Sequence, residues 1–325
     1  MRLGRRTLLR YAAGAAALGI ASRAARAQTY PTRPVRIIVP FAPGGGTDLL
    51  AHLFGLWLSQ RLGQQFVVIN RTGAGGNIAM DMVVKAAPDG YTLLAFDPSA
   101  AINATLYDNL DYVFARDIAP VALLIRSPMI LVVNPALPVR TVPEFIAYAK
   151  ANPGKINMGS GGIGTTPHVT GELFKMMTGV DLVHVPYRGS GPARTDLIAG
   201  NLQVMFDPMP QSIPYIKSGQ LRALGVATPA RSEVLPDVPT IGEFVPGYEA
   251  DTWYGIGAPK GTPAAIVDAL NREINAGLDD ATIKARLAEL SGTVQIGTPA
   301  DFGNLIATET EKWGKVVKFS GAKAE

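Results

Sequence analysis

Cysteine is absent from the 325 residues, histidine occurs three times, and charged residues make up 17%. The lack of cysteine excludes disulfides, thiolate metal sites, a cysteine nucleophile and a lipid-bearing N-terminal cysteine. The histidines His52, His168 and His184 have no metal-ligand spacing, so no metal and no cofactor are expected. A Gly-x-Ser-x-Gly nucleophile elbow is missing. Long acidic or basic blocks are missing too, and no segment approaches the roughly 20 apolar residues that cross a bilayer. What remains is 47% hydrophobic, enough for a sizeable core and, at this length, two domains.

The first 27 residues read as an address rather than as fold. Gly4-Arg5-Arg6-Thr7-Leu8-Leu9-Arg10 carries paired arginines, an alanine-rich apolar stretch runs from Tyr11 to Ala21, and Ala25-Arg26-Ala27 forms a small-x-small cleavage site. The pattern predicts a twin-arginine export signal cleaved after Ala27, hence a periplasmic protein. Six arginines and no acid lie in it, so its removal turns the formal +4 into about −2. A nucleic-acid role then lacks its basic surface.

The stretch Pro40-Phe41-Ala42-Pro43-Gly44-Gly45-Gly46-Thr47-Asp48 joins a hydrophobic run, Val35 to Val39, to an apolar run of helical spacing. Strand, glycine loop and helix in that order place backbone N–H groups and a helix N-terminus where an anion could sit. A phosphate loop would need Lys-Ser/Thr after the last glycine, whereas Thr47-Asp48 follows here, so a carboxylate is the expected guest. Thr47 or Asp48 is the expected N-cap. The same strand–loop–helix unit recurs at Phe66–Asn70 with Arg71 to Asn77, the following helix running to about Ala87. Tyr91–Phe96 is a third strand, whose end, Asp97-Pro98-Ser99-Ala100, is a third candidate loop. A βαβαβ order implies a parallel sheet with ligands at the carboxyl ends of its strands.

Two β-rich runs split by Ser127-Pro128 mark a first crossing between lobes, and Trp253–Ala258 a return. Residues 130–250 repeat the strand–loop–helix order. Their loops hold Ser160, Gly161, Thr165, Thr166 and His168, then Tyr187, Arg188 and Gly189, and finally Asp207. Thr141 to Glu144 is a capping box, and Thr262-Pro263 and Thr298-Pro299 each place Thr at an N-cap and Pro at the first helical position. The expected organisation is one discontinuous lobe, 28–127 with 253–325, and a second lobe, 128–252, closing on a hinge.

Candidate ligand residues from the first lobe are Phe41, Pro43, Gly44, Gly45, Thr47 and Asp48, with Asp97, Ser99 and Ala100. Phe41 supplies an apolar wall or a core contact. Arg188 pairs a carboxylate or forms a surface ion pair. Asp97 and Asp207 hold a ligand donor group or serve as turn caps, and His168 bonds ligand or structure. Gly159, Gly161 and Gly164 match the dinucleotide spacing Gly-x-Gly-x-x-Gly, but in the wrong strand and without an acid ending the next one.

Ile38-Val39-Pro40-Phe41-Ala42-Pro43-Gly44-Gly45-Gly46-Thr47-Asp48, Asn70-Arg71-Thr72-Gly73-Ala74-Gly75-Gly76-Asn77 and Pro88-Asp89-Gly90-Tyr91-Thr92-Leu93-Leu94 resemble the Bug family of periplasmic solute receptors. The likeness continues through His184-Val185-Pro186-Tyr187-Arg188-Gly189 and Ala258-Pro259-Lys260-Gly261-Thr262-Pro263. The resemblance implies an α/β, two-lobed type II periplasmic-binding-protein fold, two Rossmann-like domains joined by a two-strand hinge. It also implies a monomeric, non-enzymatic receptor that delivers a small organic acid to permease subunits of a tripartite tricarboxylate transporter. Asp97-Pro98 departs from the small, hydroxyl-rich residues expected there and favours a ligand with a donor group. Alternatives are a sensory co-receptor for a membrane histidine kinase and an exported hydrolase or transferase.

Overall fold

The computed structural model describes residues 30–289 and 292–324; the export signal expected over residues 1–27 lies outside them. Strands β1 (Val35–Val39), β2 (Phe66–Asn70) and β3 (Thr92–Phe96) run parallel in the order β2-β1-β3. Helices α1 (Gly46–Leu62), α2 (Asn77–Val84) and α3 (Ser99–Leu106) follow β1, β2 and β3 in turn, and a short α4 (Phe114–Asp117) leads on. Every residue of β3 is buried, as expected of a parallel strand covered on both faces.

Strand β4 (Ile118–Val133) is a single 16-residue strand, not the two runs expected around Ser127-Pro128. From Ile118 to Pro128 it pairs antiparallel with β9 (Asp251–Pro259). From Met129 it pairs with β7 (Val204–Pro208) and from Ile130 with β8 (Arg222–Val226). Pro128 stands where β4 changes partners, so its missing N–H costs the ladder little.

The second half repeats the first. Strands β5 (Asn157–Ser160), β6 (Val183–Pro186) and β7 are parallel in the order β6-β5-β7. Helix α5 (Val142–Ala151) precedes β5, while α6 (Thr166–Thr178), α7 (Ser190–Ala199) and α8 (Met209–Lys217) follow β5, β6 and β7. After β9 the chain adds α9 (Ala264–Asp279), α10 (Ala281–Glu289), a short β10 (Thr293–Val294) against β4, and α11 (Pro299–Ser320). Two Rossmann-like halves are thus joined through the β4–β9 pair. Among the described residues no helix is long and apolar enough to cross a membrane.

One buried cluster spans both halves. It runs from Phe96, Trp253 and Phe302 to Phe174, Phe206 and Tyr248, with Phe96 and Phe302 stacked at 5.5 Å and Phe174 and Phe206 tilted at 5.3 Å. Two smaller clusters fill the outer faces, one beneath α1, α9 and α10 and one beneath α7 and α8. Helix α11 packs on α3, β4 and α6.

Several local expectations are corrected. Helix α1 starts at Gly46 with Gly45 as N-cap, because Asp48 turns back to accept from the Gly44 N–H at 2.9 Å and from Asn70 Nδ2 at 2.7 Å. Helix α2 stops at Val84, short of Ala87. Thr262 does not cap α9, whose N-cap is Pro263; its hydroxyl donates to the Pro259 carbonyl at 2.7 Å. At α5 the Thr141 hydroxyl accepts from the Glu144 N–H, but Glu144 reaches the N–H of Arg140 rather than of Thr141. The Thr298 box with Asp301 is complete in both directions.

Candidate functional site

The carboxyl ends of β1, β3, β5 and β6 each release the chain into a helix, and these helix starts converge. A cavity of about 200 Å³ lies among them. Ser99 opens α3, Thr165 and Thr166 open α6, and Ser190 opens α7, and all four residues line the cavity. Unpaired first-turn N–H groups and aligned helix dipoles make such starts favourable for negative charge. Phe41, Leu106, Tyr107, Met129 and Ile163 supply apolar wall. Among the described residues no lysine, arginine or histidine lines the cavity.

The first glycine loop is braced from inside. Asp48 is 3% exposed, and its carboxyl lies below the usual range. Burial pulls it upward, but the bonds from Asn70 and Gly44, with His52 nearby, outweigh that. Asn70 also donates to the Phe41 carbonyl at 2.9 Å, which holds Phe41 at the cavity. Gly46 meets the wall closely: a Cβ there would lie 2.6 Å from the Tyr254 hydroxyl oxygen. In the second loop Gly76 has φ +96°, and a Cβ would fall 2.9 Å from Pro40, so only glycine fits both demands.

The loop between β5 and α6 is held by a polar ladder. The Ser160 hydroxyl lies 2.6 Å from His184 Nε2, and the rings of His184 and His168 stack at 3.8 Å. His168 Nδ1 accepts from the Gly164 N–H at 3.1 Å, while the Thr165 hydroxyl donates to the Gly162 carbonyl at 2.7 Å. Burial, then each histidine's charged neighbours, push His168 down to about 3 and His184 down to about 4. Both rings are therefore neutral braces at neutral pH.

Of the residues expected from sequence, Phe41, Asp97, Ser99, Thr165 and Thr166 line the cavity. Thr47 stands just behind, its hydroxyl 3.4 Å from Asp97 Oδ2. Pro43, Gly44 and Gly45 are exposed at the loop tip, and Ala100 is buried in α3. Ser160 and His168 are buried in the ladder, and Gly161 packs on the start of α7, its Cβ position 3.1 Å from the Ser190 nitrogen. The Tyr187 hydroxyl donates to Asp196 at 2.5 Å. Gly189 and Arg188 are exposed, and Arg188 forms no ion pair with any described residue.

Asp207 is fully buried and is drawn away from the cavity. Arg194 holds its carboxylate through two bonds, at 2.6 and 3.1 Å, and Ser212 donates a third at 2.6 Å. Burial raises its pKa against those bonds. Asn103, Ser190, Thr252 and Tyr254 were missed and do line the cavity. Tyr254 sits in the stretch expected only as a crossing, with Thr252 just before it, and nothing near them in sequence marks a site. Burial first, then the Asp97 charge, pushes the Tyr254 hydroxyl up to about 12.

A roomier groove of about 520 Å³ runs along Arg126, Arg231 and Asp251, but its cations are already engaged. Arg126 pairs with Asp251 and Glu249, and Arg231 with Glu243. Among the described residues no group of three potential metal ligands is placed to hold an ion.

The model of the tripartite tricarboxylate transporter family receptors, TctC, matches residues 51–321. Protein BugT of Bordetella pertussis is 40% identical over 300 residues, covering 91% of this chain and 92% of its own. An R. palustris protein solved with adipate is 40% identical with a TM-score of 0.80, covering 90% of this chain and 98% of that one. MatC from Rhodopseudomonas palustris, solved with bound malate, is 33% identical with a TM-score of 0.77, covering 89% and 100%. The periplasmic binding protein BugD shares the same two-lobed architecture at a TM-score of 0.77. The chain therefore belongs to the tripartite tricarboxylate transporter family receptors, the solute-binding proteins of the Bug type.

Proposed function

We propose that this chain is an exported receptor that captures a small organic carboxylate in the cavity and delivers it to the permease subunits of a tripartite tricarboxylate-type transporter. The observation that carries the reading is the meeting of the α6 and α7 N-termini at a space with hydroxyl and apolar walls and no basic side chain among the described residues, while the Ser99 N–H and hydroxyl at the α3 start are engaged by Asp97. Such a site holds a carboxylate by N–H and O–H donors. The similar proteins solved with adipate and malate support the same ligand class. The serine–histidine contact, Ser160 with His184, is part-buried in the ladder, and no histidine among the described residues lines the cavity to act as a base. Binding rather than turnover fits that arrangement.

In this reading residues 1–27 are a twin-arginine signal cleaved after Ala27, and the monomer acts in the periplasm. Residues 28–127 with 253–325 form one lobe and 128–252 the other, and closure about the β4–β9 pair desolvates the ligand. Arg188 waits at the rim to meet the carboxylate. A thermal-shift screen of residues 28–325 against organic acids tests the reading. A ligand at 100 times its Kd adds about 2.7 kcal/mol, a rise of several degrees. A shift with amines, sugars or nucleotides and none with any acid would overturn it.

A further inference from the structure

Among the residues lining the cavity, Asp97 alone is an acid and none is a base. Its Oδ1 is engaged by the Ser99 N–H at 3.0 Å and the Ser99 hydroxyl at 2.6 Å. Its Oδ2 has only the Thr47 hydroxyl, at a long 3.4 Å. One carboxylate oxygen is thus under-used at the wall of the cavity. Across that space lie the opposite preferences, the N-termini of α6 and α7 with Thr165, Thr166 and Ser190. The cavity is therefore two-sided: one side favours an anion, and the other carries the Asp97 carboxyl, whose pKa burial raises against the bonds from Ser99 and Thr47.

A plain diacid closed into this space would set its second carboxylate against Asp97 with no lining cation between them, and like charges in a desolvated site repel strongly. A ligand that carries a donor at that end would instead complete the bonding of Oδ2. Resting on the carboxylate-receptor reading above, we propose that Asp97 selects an organic acid whose far end is a protonated amine over the diacid of equal length. Tyr254, which lines the same wall and keeps its proton, adds a hydroxyl that can accept from the amine. The residue acts on specificity, and the carboxylate end of the ligand stays with the helix starts.

Isothermal titration of residues 28–325 at pH 7.5 with matched four-, five- and six-carbon probes tests this. At each length the diacid, the ω-hydroxy acid and the ω-amino acid are compared. The expected result is an amino acid bound at least tenfold tighter than its matched diacid, with the hydroxy acid between them. Asp97→Asn and Asp97→Ser should each remove that preference by weakening the amino acid at least tenfold while leaving the diacid unchanged or tighter. Thermal melts check that both variants fold, and if they do not, the ranking in the unaltered protein decides alone. Diacids bound as tightly as amino acids would overturn the inference and leave the carboxylate receptor standing. So would diacid binding that weakens as pH rises and loses that dependence in Asp97→Asn, because Asp97 would then be a protonated donor. No binding of any acid would remove the receptor reading, and this inference with it.

Discussion

Gly46 sits in ordinary helical backbone, so a side chain there would strain nothing locally; the Tyr254 hydroxyl 2.6 Å from its Cβ position makes the difference. Gly46→Ala must move a half-buried ring that lines the cavity. The expected cost is about 1–3 kcal/mol of stability, read by urea denaturation, with acid binding weakened at least tenfold in titration. Unchanged affinity would separate Tyr254 from the ligand. The glycine is visible in the sequence, but the tyrosine it accommodates lies more than 200 positions later. The same limit explains the aspartates. Asp48, Asp97 and Asp207 each stand at a loop that sequence marks as a candidate, and they point three ways: into the loop's own backbone, to the cavity wall, and to Arg194. Residue type and loop position are legible from sequence; the direction a carboxylate takes depends on which donor the fold brings within reach.

At the scale of elements, the helix starts behind β1, β5 and β6 were legible because strand, glycine loop and apolar helix leave a local signature, whereas the helix that opens at Ser99 follows a loop without glycine and carries no such mark. The continuity of β4 was not legible either, since Pro128 punctuates a strand except where it changes partners. The β5–α6–β6 unit carries a pH signature of its own. His168 on α6 and His184 on β6 have folded pKa values of about 3 and about 4, below the 6.5 of an unfolded histidine. The unfolded chain takes up their protons first, so their contribution is complete above pH 6.5 and declines as pH falls toward 4 and then 3. The slope is up to about 1.4 kcal/mol per pH unit for each ring. Asp251 acts in the opposite sense. Burial pushes it up to about 6 despite Arg126, so its protonation favours the folded state as pH drops below that value. Urea midpoints at pH 7.5, 5.5 and 4.5 should therefore fall in the unaltered protein. In the double variant His168→Gln with His184→Asn the fall should be much smaller, and an equal fall in both would assign the acid sensitivity elsewhere.

For the whole molecule, two lobes need not mean two folding units. β4 belongs to the sheets of both halves, one buried cluster runs from Phe96 to Tyr248, and α11 packs on both α3 and α6. Calorimetry of residues 28–325 should give one cooperative transition, shifted as a whole by ligand, and two resolved peaks would contradict that coupling. The lack of a basic side chain in the cavity wall has a consequence for the medium in which the protein works. Ionic strength outside the inner membrane follows the surroundings of the cell, and mobile ions weaken exposed charge pairs far more than buried contacts with dipoles. A receptor that relies on amide and hydroxyl donors should hold its ligand almost equally well in dilute and in saline water. Titration from 20 to 500 mM sodium chloride should change Kd by less than threefold. Any remaining slope should disappear in Arg188→Ala if the exposed Arg188 meets the ligand as proposed above. Scavenging nutrients at constant affinity through rain and brine would then follow from using backbone where other proteins use arginine.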